Sequence, residues 1–157
     1  MPHLKSQQKT EPPWKEWDRK AQKEGLRHTV YYVNGDEYTG EWSNNLHEGK
    51  GTYKWKKTGA IYDGDFKAGK RCGFGTYSIL VNNEYRKLYT GEWADNMRCG
   101  YGTQYYSETE YYEGQWRADK REGWGRMYYG DGSVYEGEWF ADKRHGQGLY
   151  KLANDNR

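Results

Sequence analysis

Apolar and polar residues alternate with a period of two along this chain, in short runs that return at nearly regular intervals. Five such runs are Tyr38 to Trp42, Tyr62 to Phe66, Tyr89 to Trp93, Tyr112 to Trp116 and Tyr135 to Trp139. In each, an aromatic residue, a glycine and a second aromatic hold alternate positions, which predicts a strand with all three on one face. Eleven and thirteen residues beyond each leading tyrosine stand Gly49/Gly51, Gly73/Gly75, Gly100/Gly102, Gly123/Gly125 and Gly146/Gly148. The segments after them alternate again, as in Gly51, Tyr53 and Trp55, so a return strand is expected. Polar stretches such as 67–71 read as the turn between the two strands. Thr58-Gly59 and Asp131-Gly132 read as links between successive hairpins. The frames are spaced 24, 27, 23 and 23 residues apart, and the longest carries Asn82-Asn83-Glu84 as a turn insertion.

A period of this length is the mark of a repeat architecture. The expected fold is all-β: an elongated, single-layer, twisted antiparallel sheet of tandem β-hairpins. Its five repeats are 38–61, 62–88, 89–111, 112–134 and 135–157. Residues 14–37 form a degenerate capping repeat, because Trp17 to Arg27 resembles Trp116 to Arg126 with one residue inserted, and residues 1–13 are expected to be a flexible segment. The next tyrosine-led frame would begin one residue beyond Arg157, so the chain reads as C-terminally truncated. Glycine weakens a strand, so its repetition needs a packing reason. A missing side chain lets a neighbouring ring lie over the backbone. Ten strands at about 4.8 Å predict a sheet on the order of 50 Å long.

Composition changes this picture in one respect. Only 34% of residues are hydrophobic while 18% are aromatic, with 17 Tyr, 8 Trp and 21 Gly, so burial must come mainly from rings. The net charge of +2 is small, and a basic nucleic-acid face is not supported. No run of about 18 apolar residues could cross a membrane as a helix. Cys72 and Cys99 hold equivalent positions in successive repeats, about 9.6 Å apart and beyond disulfide reach, so two reduced thiols are expected.

No catalytic, metal or cofactor constellation stands out from the repeat. His3, His28, His47 and His145 are scattered and read as polar residues. The acids between glycine and second aromatic recur in four of the five frames, which suits bonding to backbone or neighbouring side chains better than a unique catalytic pair. Two candidate surfaces remain. A single-layer sheet has nothing to cover its ring-bearing face, so Tyr38, Trp42, Tyr62, Phe66, Tyr89, Trp93, Tyr112, Trp116, Tyr135 and Trp139 are expected to line a groove for a partner helix or extended peptide. The turn cations Lys70, Arg71, Arg98, Lys120, Arg121, Lys143 and Arg144 align along one edge and could meet anionic phospholipid at about 1 kcal/mol per well-placed charge, or simply be solvated. An exposed last strand also predicts edge pairing into a homodimer.

Tyr-Glu-Gly-Glu-Trp (135–139) followed by Lys-Arg-His-Gly-Gln-Gly (143–148) resembles the MORN repeat, the membrane occupation and recognition nexus motif, and the resemblance covers about three quarters of the chain. Trp14 to Ala21, Gly59 to Tyr62 and Gly123 to Tyr129 resemble a vertebrate branch of that family associated with male germ cells. The resemblance implies an elongated antiparallel sheet, protein scaffolding, self-association and phospholipid contact. It also implies a cytoplasmic protein, with vesicle or acrosome association and a role in spermatogenesis. Phe66 departs from the family's tryptophan, Gln115 from its acid, and Cys72 and Cys99 from its histidine. Three functional classes stay open: an adaptor binding proteins along the groove, a peripheral membrane tether, and a regulatory module of an enzyme beyond residue 157.

Overall fold

The computed structural model describes residues 12–13 and 22–153. Residues 1–11, 14–21 and 154–157 lie outside the described residues, and with them most of the expected flexible segment, the first third of the expected cap and the tail of repeat five. Eleven strands follow one another: β1 (Gly25–Tyr31), β2 (Glu37–Ser43), β3 (Leu46–Lys54), β4 (Ile61–Lys67), β5 (Lys70–Val81), β6 (Glu84–Ala94), β7 (Met97–Tyr105), β8 (Tyr111–Arg117), β9 (Lys120–Tyr128), β10 (Val134–Phe140) and β11 (Lys143–Lys151). They form one open antiparallel sheet in which every strand pairs only with its sequence neighbours. Each of the five repeats supplies a hairpin, and β1 precedes them, paired with β2 of the first. The insertion at Asn82-Asn83 lengthens β5 and β6 into a taller hairpin.

Two local devices make each hairpin. Its tight turn has two central residues in the left-handed region, as at Ala118 (φ 46°) and Asp119 (φ 70°) or Asp95 (φ 49°) and Asn96 (φ 67°). This backbone twist matches that of the flanking strands. A bulge then offsets the return strand: Gly114 pairs with Gly125 but Trp116 pairs with Arg121. The extra residues include the first glycine of each pair, and Gly123 takes φ 98° there, a conformation that side chains other than glycine rarely adopt. The residue before the second aromatic holds the bulge closed. Its side-chain oxygen accepts a backbone N–H from the return strand, Lys50 N to Glu41 at 2.6 Å, Phe74 N to Asp65 at 2.9 Å and Gln147 N to Glu138 at 3.1 Å, with Tyr101 N donating to Glu92 likewise. Gln115 does the same through its amide oxygen, accepting from Trp124 N at 2.7 Å. Its departure from the acid is thus conservative in the one atom that matters.

The core is a zigzag of rings on one face. Each leading tyrosine lies flat across the second glycine of its own repeat and donates its hydroxyl to the carbonyl three residues on, Tyr38 to Glu41 at 2.7 Å and Tyr112 to Gln115 at 2.8 Å. A Cβ on Gly51 would meet Tyr38 ring carbons at 2.6 Å, which is why the position holds glycine. Each tyrosine is met edge-on by the second aromatic of its own repeat, at 4.9 to 5.5 Å between ring centroids. The second aromatic of the next repeat meets it from the other side: Phe66 on Tyr38 at 5.3 Å, Trp93 on Tyr62 and Trp116 on Tyr89 at 5.5 Å, and Trp139 on Tyr112 at 5.2 Å. Edge-to-face pairs add about 0.5–1.5 kcal/mol each to the area they bury. This explains how a chain poor in aliphatics holds a core at all.

Candidate functional site

The ring-bearing face carries two layers of side chains, one above the other. The ten aromatics expected to line an accessible groove are the lower layer, with 0–7% of their surface exposed, so they form its floor, where Phe66, Tyr89 and Trp93 still line the trough, and not its accessible walls. The correction has a simple cause. Each tyrosine folds down onto glycine backbone, and residues of the return strands close over it. The upper layer is therefore return-strand in origin: His47, Arg71, Arg98, Arg121 and Arg144 in one row, Tyr53, Tyr77, Gln104, Met127 and Tyr150 in another. Between them runs a shallow trough. One part, about 370 Å³, is lined by His47, Tyr53, Trp55 and Arg71, and the next, about 210 Å³, by Arg71, Tyr77, Arg98 and Gln104.

Arginines of the expected lipid edge are drawn into this layer. The guanidinium of Arg71 stacks over Trp93 at 4.7 Å, that of Arg98 over Trp116 at 4.4 Å and that of Arg121 over Trp139 at 4.5 Å, always on the ring of the following repeat. The same cations clasp the following turn. Arg98 Nε donates to Asp119 Oδ1 at 2.6 Å and its Nη2 to the Asp119 carbonyl at 2.9 Å, while Asp119 N donates back to Arg98 O at 3.0 Å. Arg121 clasps Asp142, and Arg71 clasps Asn96, in the same way. Burial alone would raise the Asp119 carboxyl, but the Arg98 hydrogen bonds, with the charges of Arg98 and Arg71, outweigh it and hold the group below the usual range. Lys70, Lys120 and Lys143 remain fully on the surface, as does Arg144, whose guanidinium lies 5.4 Å from the Tyr135 ring.

The joint between repeats one and two departs from this pattern at three positions together. His47 replaces the arginine, Phe66 the tryptophan and Gly69 the acidic or amide turn residue. A benzene ring attracts a cation less than an indole does, and glycine offers no side-chain acceptor, so the cation has lost both partners. His47 instead stacks on Tyr38 at 3.8 Å and shares a 2.7 Å hydrogen bond between its Nε2 and the Tyr32 hydroxyl. Burial, helped by the Lys23 charge, pushes its pKa down to about 4, so the ring is neutral. Phe66 is thereby explained by its neighbours rather than by its own repeat. At the preceding joint, between residues 22–37 and repeat one, Lys23, Trp42 and Asn45 rebuild the usual arrangement, with Lys23 Nζ 5.1 Å from the Trp42 ring.

Cys72 and Cys99 are free thiols, and burial, with the Glu92 and Cys72 charges, raises the Cys99 pKa. Among the described residues no group of three His, Cys, Asp or Glu is placed to hold a metal ion, and no helix is long and apolar enough to cross a membrane.

A single open sheet, built from stacked hairpins and offering continuous side-chain surfaces on both faces, defines a repeat protein of the interaction-surface class. The family model for the MORN repeat matches residues 38–59, 62–79, 89–108, 112–134 and 135–157, more than half of the chain and starting at each of the five leading tyrosines. The chain belongs to the MORN-repeat family, whose members in general mediate protein or membrane interaction and not catalysis. Among curated proteins it is similar to MORN repeat-containing protein 3 of Xenopus laevis, 61% identical over 71% of this chain and 48% of that protein. It is also similar to the proteins of that name from Mus musculus, 54% identical over 50% of this chain and 32% of that protein, and Homo sapiens, 59% identical over 32% and 21%. The chain thus matches about half the length of the frog protein and less of the mammalian ones.

Proposed function

We propose that this chain is a non-enzymatic adaptor that holds a protein partner, as a helix or an extended peptide, along the trough of its ring-bearing face. The observation that carries this reading is the two-layered construction of that face. The buried rings make a rigid base, and the return strands set partly exposed Tyr53, Trp55, Tyr77 and Arg71 along it, residue types that anchor interfaces. A rigid base lowers the ordering cost of binding. The membrane reading is left with Lys70, Lys120, Lys143 and Arg144, because Arg71, Arg98 and Arg121 are engaged within the chain. We extend the reading to male germ cells on the strength of the sequence resemblance.

A photo-crosslinking amino acid placed at Trp55 or Tyr77, in the trough, tests the proposal when compared with one at Lys54, on the opposite face. In testis extract, a defined partner should be captured from both trough positions and not from Lys54. Capture only from Lys54 would overturn the assignment of the binding face.

A further inference from the structure

The opposite face carries a second groove, which the repeat pattern does not announce. Its floor is the backbone of Gly91, Gly102, Gly114 and Gly125, whose missing side chains would point to the ring-bearing side. One wall is a row that crosses the strands, in which aromatic and acidic or amide residues alternate: Phe74 pairs with Glu92, Tyr101 with Gln115 and Trp124 with Glu138. The other wall runs Thr90, Thr103, Glu113, Arg126 and Glu136. Between Tyr101 and Trp124 on the first wall and Thr90 to Glu136 on the other lies a cleft of about 480 Å³, and Phe74 continues the ring row beyond it. Phe74, Tyr101 and Trp124 are 63%, 59% and 47% exposed, far more than any ring of the core, and the repeat does not need them for cohesion.

The spacing of these rings selects their ligand. They stand on β5, β7 and β9, alternate strands of the sheet, so they recur about every 9.6 Å along the groove. A polyproline II helix advances about 3.1 Å per residue with three residues per turn, a repeat of about 9.3 Å, and stays in register with all three rings. An α-helix repeats at about 5.4 Å per turn, so two turns overshoot each interval by more than 1 Å. A β-strand returns a side chain to one face about every 6.7 Å and meets the rings out of phase. Aromatic-walled grooves accept proline-rich segments because little conformational entropy is lost on binding. Charge adds a preference. Glu113 and Glu136 flank the single cation Arg126, which lies 3.9 and 3.1 Å from them, leaving the cleft wall acidic on balance.

We propose that this outer groove binds a proline-rich segment of a partner protein in the polyproline II conformation, with a basic residue at every third position facing Glu113 and Glu136. The site lies on the face opposite the trough, so its failure would leave the adaptor reading intact, and the reverse also holds.

A twelve-residue peptide of repeating Pro-Pro-Arg tests it by calorimetry and by Trp124 fluorescence, with repeating Ala-Ala-Arg as a probe of equal charge. The proline peptide should saturate, and the alanine peptide should bind at least tenfold more weakly. Trp124→Ser should weaken the proline peptide at least tenfold, while Trp55→Ser, on the other face, should leave it unchanged. Amide shift mapping on the unsubstituted chain provides a readout independent of variant folding, with the largest shifts expected at Thr90, Thr103 and Trp124. No saturable binding, equal affinity for both peptides, or shifts confined to the trough would each overturn the proposal.

Discussion

Replacing Arg98 with alanine isolates the contact that joins repeat three to repeat four. The side chain is 24% exposed and makes three kinds of interaction, a stack on Trp116 at 4.4 Å, a clasp on the Asp119 turn and, within its own repeat, a hydrogen bond donated by Nη1 to the buried Gln104 Oε1 at 2.8 Å. A partly desolvated cation over indole is worth about 1 kcal/mol. The ion pair is discounted for solvent because Asp119 is 51% exposed, which leaves about 0.5–1 kcal/mol. With about 1 kcal/mol for the Gln104 hydrogen bond the expected loss is about 2.5–3 kcal/mol, in which the ring contact counts at least as much as the charge pair. Urea denaturation followed by tryptophan fluorescence measures it. In 1 M salt, where the Debye length falls to about 3 Å, the loss should shrink but stay at about 2 kcal/mol. Arg98→Lys should fall between, because an ammonium keeps the charge and cannot lie flat on indole while forking to the turn. Acid supplies a further check. The Asp119 carboxyl is depressed in the folded chain, so its contribution is present above the unfolded value of roughly 3.9 and is lost as pH falls through the folded value. A loss no larger than about 1 kcal/mol, which the Gln104 bond within repeat three would account for alone, would refute the claim that a cation stacked on the next repeat's ring couples the repeats.

Two further outcomes follow from the same packing. Gly51→Ala should cost about 1–3 kcal/mol, because its Cβ would meet the Tyr38 ring at 2.6 Å, whereas Gly130→Ala, whose nearest neighbour is the flexible end of Glu110 at 3.1 Å, should stay within about 0.5 kcal/mol; thermal denaturation of the pair compares them. His47 has a folded pKa of about 4 against roughly 6.5 unfolded, so the unfolded chain binds more protons between these values; stability should be intact above about pH 6.5 and fall toward pH 4, and His47→Gln should lack that slope in equilibrium unfolding.

Much of this molecule is local and so was legible along the chain. The alternation of Tyr38, Gly40 and Trp42, repeated five times, implied hairpins, because a strand's side-chain period is two whatever surrounds it. Sequential hairpins of this kind then pair with their neighbours, and the single open sheet follows. Even the inserted Asn82-Asn83 announced its turn, since asparagine tolerates the left-handed conformation found there at φ 50° and 63°. The acids at the fourth position could be read as backbone acceptors for the same reason: each closes a bulge within its own hairpin.

What lies between repeats was decided in three dimensions. Nothing local to Arg98 says that it will lie on Trp116, or that His47, Phe66 and Gly69 form one altered joint, because these partners meet only when hairpins stack. The accessible surface of the ring-bearing face moved for the same reason. Tyr and Trp at alternate positions define a face, but whether a ring on that face is seen by solvent depends on what the return strand lays over it, and here arginines and tyrosines cover it. On the other face Phe74, Tyr101 and Trp124 each stand between the paired glycines of their repeat, twelve residues after the leading tyrosine, and become a row because the sheet sets alternate strands side by side at a constant spacing. Sequence by itself determined the strand pattern, its period and which rings share one face. Tertiary stacking alone decided which rings are buried and which stay exposed, since exposure belongs to the assembled sheet and not to any one hairpin.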